Sequence, residues 1–213
     1  MSLVLHSYWR ATAPYRVRIG LNLKGLSYDY APVNLIKAEQ SGPGHLARNP
    51  QGLVPALETG EVTLTQSLAI LEWLEETHPA PPLLPTHPND RAVVRAMAGL
   101  IACDIHPLNN MRVQKKLGAL GVDDAGRSSW SQGWIVSGFE ALEAMVARHG
   151  AGFAFGDQPG LADCLLVPQA YSAERYGVDL APFPAIRAVA ERCAALPAFA
   201  AAHPDRQTDA QIA

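Results

Sequence analysis

Hydrophobic and polar positions alternate with a period of two at residues 3–8, which is typical of a half-buried strand. The period then lengthens to that of an amphipathic helix at about 13–24, and Gly25 suits the end of that helix. A second strand pattern follows at 27–32. The chain therefore opens with a predicted β-α-β unit.

The next part of the chain is polar and irregular at 33–48, and two short strands follow it. These strands are predicted at 56–58 and 62–65, where a Thr-Gly-Glu turn would join them into a hairpin. A helix begins at Ser67, with Leu68, Leu71 and Leu74 on its inward face.

Residues 79–89 contain five prolines, a density that excludes both helix and sheet and is typical of a stiff linker. We place the domain boundary there, which gives an α/β domain at 1–78 and an all-α domain at 90–213. Helical periodicity after the linker recurs at about 90–118, 124–149, 161–177 and 184–200. The polar tail after His203 is expected to be mobile.

Composition narrows the functional classes. The 213 residues carry a formal charge of −3, and the basic residues are scattered, so nothing indicates nucleic-acid binding. No apolar run approaches a membrane span of about 20 residues, and no signal peptide is visible, so we expect a soluble cytoplasmic protein without a membrane partner. Three cysteines without a C-x-x-C pair favour buried thiols over a disulfide framework or a metal site.

Two neighbouring features together indicate a site for a peptide-like thiol. Val54 precedes Pro55, so its backbone is extended, and a cis peptide would turn its N–H and C=O outward to pair with a bound peptide. Ser67 lies at a helix start, where free N–H groups favour a carboxylate. The simpler interpretation is a tight X-Pro turn and an ordinary N-cap; the spacing of the two features favours the binding site.

Several motifs, taken together, resemble those of the zeta-like glutathione transferases, whose members include maleylacetoacetate and maleylpyruvate isomerases. The resemblance covers nearly the whole chain, and the motifs of its second half are most similar to those of bacterial maleylpyruvate isomerases. They are SYWR (7–10), YRVRIGLN (15–22), NPQGLVPAL (49–57), QSLAILEWL (66–74), CDIHPLNN (103–110) with Arg112, FGD (155–157), LADC (161–164), VPQ (167–169), Arg175 and VDL (178–180).

The resemblance implies a glutathione transferase fold, with an α/β thioredoxin-like N-terminal domain ordered β-α-β-α-β-β-α and an all-α helical C-terminal domain. It also implies a homodimer, with the helices at 67–76 and 90–104 near the interface. The activity it implies is glutathione-dependent cis–trans isomerisation of a maleyl keto acid, in which the glutathione thiolate adds reversibly to the double bond. The substrate would be a small dicarboxylate.

The resemblance also assigns candidate site residues. Those for glutathione are Gln51, Val54, Pro55, Gln66, Ser67 and His106. Those for catalysis are Arg10, Thr12, Asn110, Arg112 and Arg175. Arginine pairs bidentately with carboxylates, and three guanidinium groups match a dianionic substrate with a developing enolate. Arg16 and Arg18, two positions apart in the first helix, are interpreted as structural.

The first loop departs from the family pattern. Ala11 stands where relatives carry the first serine of a hydroxyl-bearing run, and Thr12 alone retains a hydroxyl there. Thr12 either contacts the thiol or simply caps the following helix. Gly160 likewise replaces the usual Ser or Thr of a capping box, so only Asp163 would still cap.

His106 and Asn110 are four positions apart, which places them on one helix face only if the helix continues through Pro107. A kink there would turn this stretch toward the cleft between the domains. The alternative is that His106 is a satisfied core histidine and that Asn109 and Asn110 bond to backbone groups freed by the proline.

Three functions remain open from the sequence. The first is the isomerase. The second is a general glutathione transferase or dehalogenase, which tolerates the loss of the serine at Ala11 and needs no set of three arginines. The third is a non-catalytic glutathione-binding or ligand-binding protein. A thioredoxin-like oxidoreductase is disfavoured, because the first helix offers no cysteine.

Overall fold

The computed structural model describes residues 2–210, which divide into two compact units. The first unit comprises residues up to 83 together with those from 194 onward, and the second comprises Leu84–Cys193. The sequence placed residues 90–213 in one helical domain. The structure differs at the C-terminal end, because the helix Pro197–Ala202 packs on the helix Thr12–Leu23 of the first unit, with Asn22 Nδ2 donating to the Ala198 carbonyl over 2.8 Å.

The first unit contains a four-stranded sheet with the order β2-β1-β3-β4. Strand β1 runs parallel to β2 and antiparallel to β3, and β3 pairs antiparallel with β4. The strands are β1 (Leu3–Ser7), β2 (Tyr28–Pro32), β3 (Ala56–Glu58) and β4 (Thr63–Thr65), and the helices are α1 (Thr12–Leu23), α2 (Pro43–Leu46), α3 (Ser67–Thr77) and α9 (Pro197–Ala202). The predicted β-α-β unit, hairpin and third helix are confirmed, and the stretch expected to be irregular holds a 3₁₀ turn (Glu39–Ser41) besides α2.

Helices α1 and α3 approach each other closely at Gly20. A Cβ atom at this position would lie 2.3 Å from Leu71 Cδ2, so only glycine fits without a shift of the neighbouring helix. Leu71 and Leu74 are fully buried, as their spacing predicted, while Leu68 is half-buried. This packing fixes the start of α3, and with it Ser67, against the middle of α1.

The second unit is helical, and Phe139 packs edge to face on Phe183 in its core. Its helices are α4 (Pro88–Gly99), α5 (Met111–Ala119), α6 (Asp124–His149), α7 (Leu161–Arg175) and α8 (Pro184–Ala194), the last of which ends at the unit boundary. The predicted helix at 90–118 is interrupted, because a π-helix (Leu100–Ile105) and a 3₁₀ turn (His106–Asn109) separate α4 from α5.

Asp163 organises the start of α7. Its carboxylate is buried and accepts hydrogen bonds from the backbone N–H groups of Gly160 and Ala154, each at 2.8 Å. Burial raises the pKa of this carboxyl to about 6, and the two N–H donors act in the opposite direction. Asp163 thus caps as predicted, and the bond from Ala154 ties the preceding loop to the helix as well.

Two expectations about individual segments were wrong. Cys103 is exposed, because it lies on the solvent side of the π-helix. Cys164 and Cys193 are buried as expected. The tail after His203 is not a free end within the described residues, since Pro204 is buried and Asp209 bonds to Trp9 and Tyr30.

Candidate active site

The segment 49–55 provides an open backbone edge in the first unit. The Val54–Pro55 peptide bond is cis, and Pro55 is buried while Val54 is half-exposed. Within residues 2–210, no hydrogen bond joins the N–H or the C=O of Val54 to another group. Both groups are therefore available to the main chain of a bound peptide, in the manner of an added strand.

The loop before Val54 is held in place by two side chains. Asn49 Nδ2 donates to the Leu53 carbonyl over 2.7 Å, and His45 Nε2 donates to the same oxygen over 2.9 Å. Asn49 Oδ1 also accepts the backbone N–H of Gln51. Since Asn49 and His45 are both buried, the edge at Val54 is presented by a fixed loop rather than by a loose turn.

Gln51 and Gln66 meet, as expected of two residues of one binding site. Gln66 Nε2 donates to Gln51 Oε1 over 2.7 Å, although the two residues are fifteen positions apart and both side chains are exposed. Gln66 has a φ of 66°, a left-handed value that is uncommon for a residue other than glycine. Such outliers cluster at ligand sites, which is consistent with a functional role for this turn.

Ser67 is the first helical residue of α3 and not its N-cap, which is Gln66. The Ser67 hydroxyl is buried and accepts a hydrogen bond of 3.2 Å from Arg16 Nη1. Arg16 is itself 1% exposed, so a positive charge lies behind the helix start. The free N–H groups of α3 and this guanidinium together favour an anion at Ser67. The sequence identified Arg16 only as structural.

The first loop carries Arg10 and leads into α1. Arg10 is half-buried, with its guanidinium carbon 5.6 Å from the centroid of the Trp9 ring. Ala11 occupies the N-cap position of α1 without a side-chain cap, and the buried Thr12 is the first helical residue. Thr12 is therefore not the N-cap that the alternative interpretation required, and its contact with the thiol remains a prediction.

In the second unit, the helix predicted at 90–118 does not continue through Pro107, which lies in the 3₁₀ turn His106–Asn109. The break leaves Asn110 as the N-cap of α5, where its Oδ1 accepts the Arg112 backbone N–H over 3.1 Å. Asn109 Nδ2 donates to the Ile105 carbonyl. Both asparagines thus bond to the backbone near the break. The side-chain Nδ2 of Asn110 has no partner among residues 2–210 and can still donate to a ligand. His106, four residues earlier, is half-buried.

Tyr176 links this segment to the end of α7. Its hydroxyl donates to the Asn109 carbonyl over 3.0 Å, which brings the last turn of α7, with Arg175, to the segment that holds Asn110 and Arg112. Arg112 and Arg175 are both exposed, and the Arg175 guanidinium lies 5.7 Å from the Tyr171 ring centroid. The second unit therefore carries two cations on adjoining segments, while Arg10 belongs to the first unit.

Neither a metal site nor a membrane helix is found in the described part of the chain. No group of three or more His, Cys, Asp or Glu side chains within 2–210 is arranged to hold a metal ion. In the same range, no helix combines the length and the apolar character needed to cross a bilayer.

Comparisons with known proteins agree with this geometry. Models of the glutathione S-transferase N-terminal and C-terminal domains match residues 1–76 and 130–196. A maleylpyruvate isomerase of a Ralstonia species is 49% identical over 209 residues, covering 96% of this chain and 98% of that protein. A maleylacetoacetate isomerase of Rhizobium meliloti is also 49% identical, over 95% of this chain and 96% of its own.

Solved structures give the same result. A holo structure of maleylpyruvate isomerase, described as a bacterial zeta-class glutathione S-transferase, superposes with a TM-score of 0.96 at 48% identity, covering 98% of this chain and all of its own. A maleylacetoacetate isomerase from Anaeromyxobacter dehalogenans, with glutathione bound in its active site, has a TM-score of 0.90 at 48% identity, over 99% and 98% of the two chains.

Proposed function

This chain belongs to the zeta-like glutathione S-transferase family, and we propose that it catalyses the cis–trans isomerisation of a maleyl keto acid with glutathione as its cofactor. The observation that carries the proposal is 49% identity, over nearly the full length of both chains, to isomerases of maleylpyruvate and of maleylacetoacetate. Separate assays of maleylpyruvate and maleylacetoacetate with purified protein and glutathione test it, and the ratio of the two kcat/KM values identifies the preferred substrate.

The residues of the first unit fit glutathione. The unpaired N–H and C=O of Val54 match the main chain of the cysteinyl residue, and Pro55 holds this edge outward. The start of α3 at Ser67, with Arg16 behind it, matches the γ-glutamyl carboxylate. Gln51 and Gln66 offer amide groups beside these positions. In the second unit, His106 is proposed to contact the glycyl end.

Bound glutathione supplies a thiolate, which adds reversibly to the conjugated double bond so that rotation about that bond becomes easy. The protein's part is to favour the thiolate, to hold the substrate carboxylates and to stabilise negative charge on the substrate oxygen. We assign the first task to the N-terminus of α1 with Thr12, since a free thiol titrates near 8.5. Arg10, Arg112 and Arg175 bind the carboxylates and the developing charge, and Asn110 donates a further hydrogen bond.

A second candidate is a general glutathione transferase that conjugates small electrophiles. It is favoured by one observation, the absence of a side-chain hydroxyl at Ala11, the N-cap of α1. Weaker stabilisation of the thiolate would suit reactive electrophiles better than a demanding isomerisation. Wild-type protein that conjugates a neutral electrophile and leaves maleyl keto acids unchanged would decide for this candidate.

We expect Ser67→Ala to weaken glutathione binding by about ten- to a hundred-fold, because one or two hydrogen bonds to a charged carboxylate are lost. Isothermal titration calorimetry measures this change directly. Ser41→Ala, at an exposed serine of the same unit, is the matched control. Ser67→Ala also removes the hydrogen bond from Arg16 Nη1 to the Ser67 hydroxyl. The thermal midpoints of both variants therefore show whether a weaker affinity comes from lost binding contacts or from lower stability. A Ser67→Ala protein with wild-type affinity would remove this serine from the site.

The protein is proposed to act as a two-fold homodimer, with α3 and the helical stretch at 90–104, which comprises α4 and most of the π-helix, near the interface. Light scattering at micromolar concentration is expected to give about twice the 22.8 kDa mass of one chain. A species of 22.8 kDa under those conditions would contradict this part of the proposal.

A further inference from the structure

The peptide groups of Trp9 are held from both sides by charged side chains of the first unit. Asp209 Oδ2 accepts the Trp9 backbone N–H over 3.2 Å, and Arg18 Nη2 donates to the Trp9 carbonyl over 2.9 Å. Asp209 stands 200 positions further along the chain. Hydrogen bonds to ionised groups are stronger than neutral ones, so these two contacts fix the loop more firmly than an ordinary turn would.

Asp209 is itself held in place. Its second oxygen accepts the Tyr30 hydroxyl over 2.7 Å, so both carboxylate oxygens are engaged. The Tyr30 hydroxyl is protonated at neutral pH and can donate this bond, and burial raises its pKa further above the usual range. Since Tyr30 lies in β2, this hydrogen bond connects the Asp209 carboxylate to the sheet.

Arg18 completes the arrangement. It is 0% exposed, and besides Trp9 it donates to the Ala202 carbonyl over 2.9 Å and to Ser7 Oγ over 3.2 Å. The guanidinium thus bridges β1, the first loop and the end of α9. A buried cation requires compensating negative charge, and Asp209 is an acidic group that interacts with it electrostatically.

The loop fixed in this way carries the first of the three arginines assigned to the substrate. Arg10 follows Trp9 directly, and its guanidinium carbon lies 5.6 Å from the centroid of the Trp9 ring. A cation over an indole face is attracted to it. The orientation of the Trp9 ring therefore favours this position of the Arg10 guanidinium.

We propose that Asp209 is a positioning residue of the active site: by binding the Trp9 N–H, it holds Trp9 and thereby orients Arg10 toward the substrate carboxylate. This inference rests on the proposed isomerase function. Asp209 does not touch substrate or glutathione in this account. Its effect on turnover passes through the first loop, and the glutathione residues at Val54 and Ser67 lie on other segments.

The test compares Asp209→Ala and Asp209→Asn with Asp205→Ala in the full-length protein. Asp205 is an exposed carboxylate of the same C-terminal segment, and its side chain pairs with His203. We expect Asp209→Ala to lower kcat for a maleyl keto acid by about tenfold, since small misplacements of a binding group cost about that much or more. Glutathione affinity should stay within about twofold of the wild type. Conjugation of a neutral aromatic electrophile should fall less than kcat for the maleyl keto acid, because Thr12, at the end of the same loop, acts in both reactions whereas Arg10 acts only in the isomerisation. Asp209→Asn keeps an acceptor for the Trp9 N–H and should recover most of kcat.

Hydrogen exchange read by mass spectrometry provides a measurement that does not depend on activity. Peptides covering residues 8–12 should exchange about tenfold faster in Asp209→Ala and at the wild-type rate in Asp205→Ala. Unchanged exchange, an unchanged kcat, or equal losses in both assays would overturn the inference, as would an Asp209→Asn protein as impaired as Asp209→Ala. A wild-type protein inactive on maleyl keto acids overturns the proposed function as well, whereas an active wild type with an unaffected Asp209→Ala overturns the inference alone.

Discussion

Replacing Arg10, Arg112 or Arg175 by alanine is expected to lower kcat/KM for a maleyl keto acid by about 10²- to 10³-fold, or about 3–4 kcal/mol in the transition state. The reason is that these guanidinium groups are proposed to bind the two carboxylates and to stabilise the charge that develops on the substrate oxygen. Interactions that strengthen as this charge develops contribute to kcat and not only to KM. The measurement is steady-state kinetics at saturating glutathione, so that cofactor binding does not limit the rate.

The same variants should conjugate a neutral aromatic electrophile at nearly the wild-type rate, because that reaction places no carboxylate at the arginines. Arg187→Ala is the matched control, since Arg187 is exposed on α8 and only pairs at 3.8 Å with Glu191, a surface contact of little energetic weight. Equal losses in the two assays would mean that the arginines support the fold or the glutathione site instead.

Replacing Lys24 by methionine is expected to lower the free energy of unfolding by about 3–5 kcal/mol, because it leaves a buried carboxylate without its cation. Lys24 Nζ lies 2.7 Å from Glu75 Oε2 and 2.7 Å from the Pro81 carbonyl, and its side chain is 0% exposed. The same Glu75 oxygen accepts the Leu83 N–H over 2.7 Å. This ion pair therefore ties the ends of α1 and α3 to the proline-rich segment.

Chemical denaturation followed by circular dichroism measures the change, with Lys37→Met at an exposed lysine as the control. The double variant Lys24→Met, Glu75→Leu should regain much of the lost stability, since a buried pair replaced by apolar side chains of similar size is often neutral. A loss below about 1 kcal/mol in Lys24→Met would show that water reaches Glu75 and solvates it.

Most of the fold could be predicted from the sequence, because each strand and helix imposes its own short-range period of hydrophobic residues. The strand at 3–8, the helix after it and the helical stretches at 124–149 and 161–177 show their periods in the sequence, and each matches one element of the structure within a few residues. The stretches predicted at 90–118 and 184–200 are each divided into shorter helices. Pro107 predicted a break for a covalent reason, because proline cannot donate a backbone hydrogen bond. A π-helix (Leu100–Ile105) precedes this proline and carries the exposed Cys103, which no hydrophobic period could indicate.

The candidate site was predicted only as far as its residues lie in recognisable motifs. Gln51 and Gln66 were expected in one site, and their side chains are hydrogen-bonded. The contacts between distant segments were missed. Arg16 reaches Ser67 across 51 positions, and Asp209 reaches Trp9 across 200. The sequence around an arginine in a helix, or around an aspartate in a polar tail, does not indicate which distant residue it will bond to. These two contacts follow only from the tertiary packing.

Glutathione is expected to act as a catalyst and not as a reactant. The most direct measurement follows conversion of maleylpyruvate and of maleylacetoacetate by the purified wild-type protein, in parallel with glutathione and with S-methylglutathione, while free thiol is titrated. We expect many turnovers to the trans isomer of at least one substrate with glutathione, none with the methylated analogue, and no loss of free thiol. Isomerisation without glutathione, consumption of one thiol per substrate, or no conversion of either substrate would contradict this expectation.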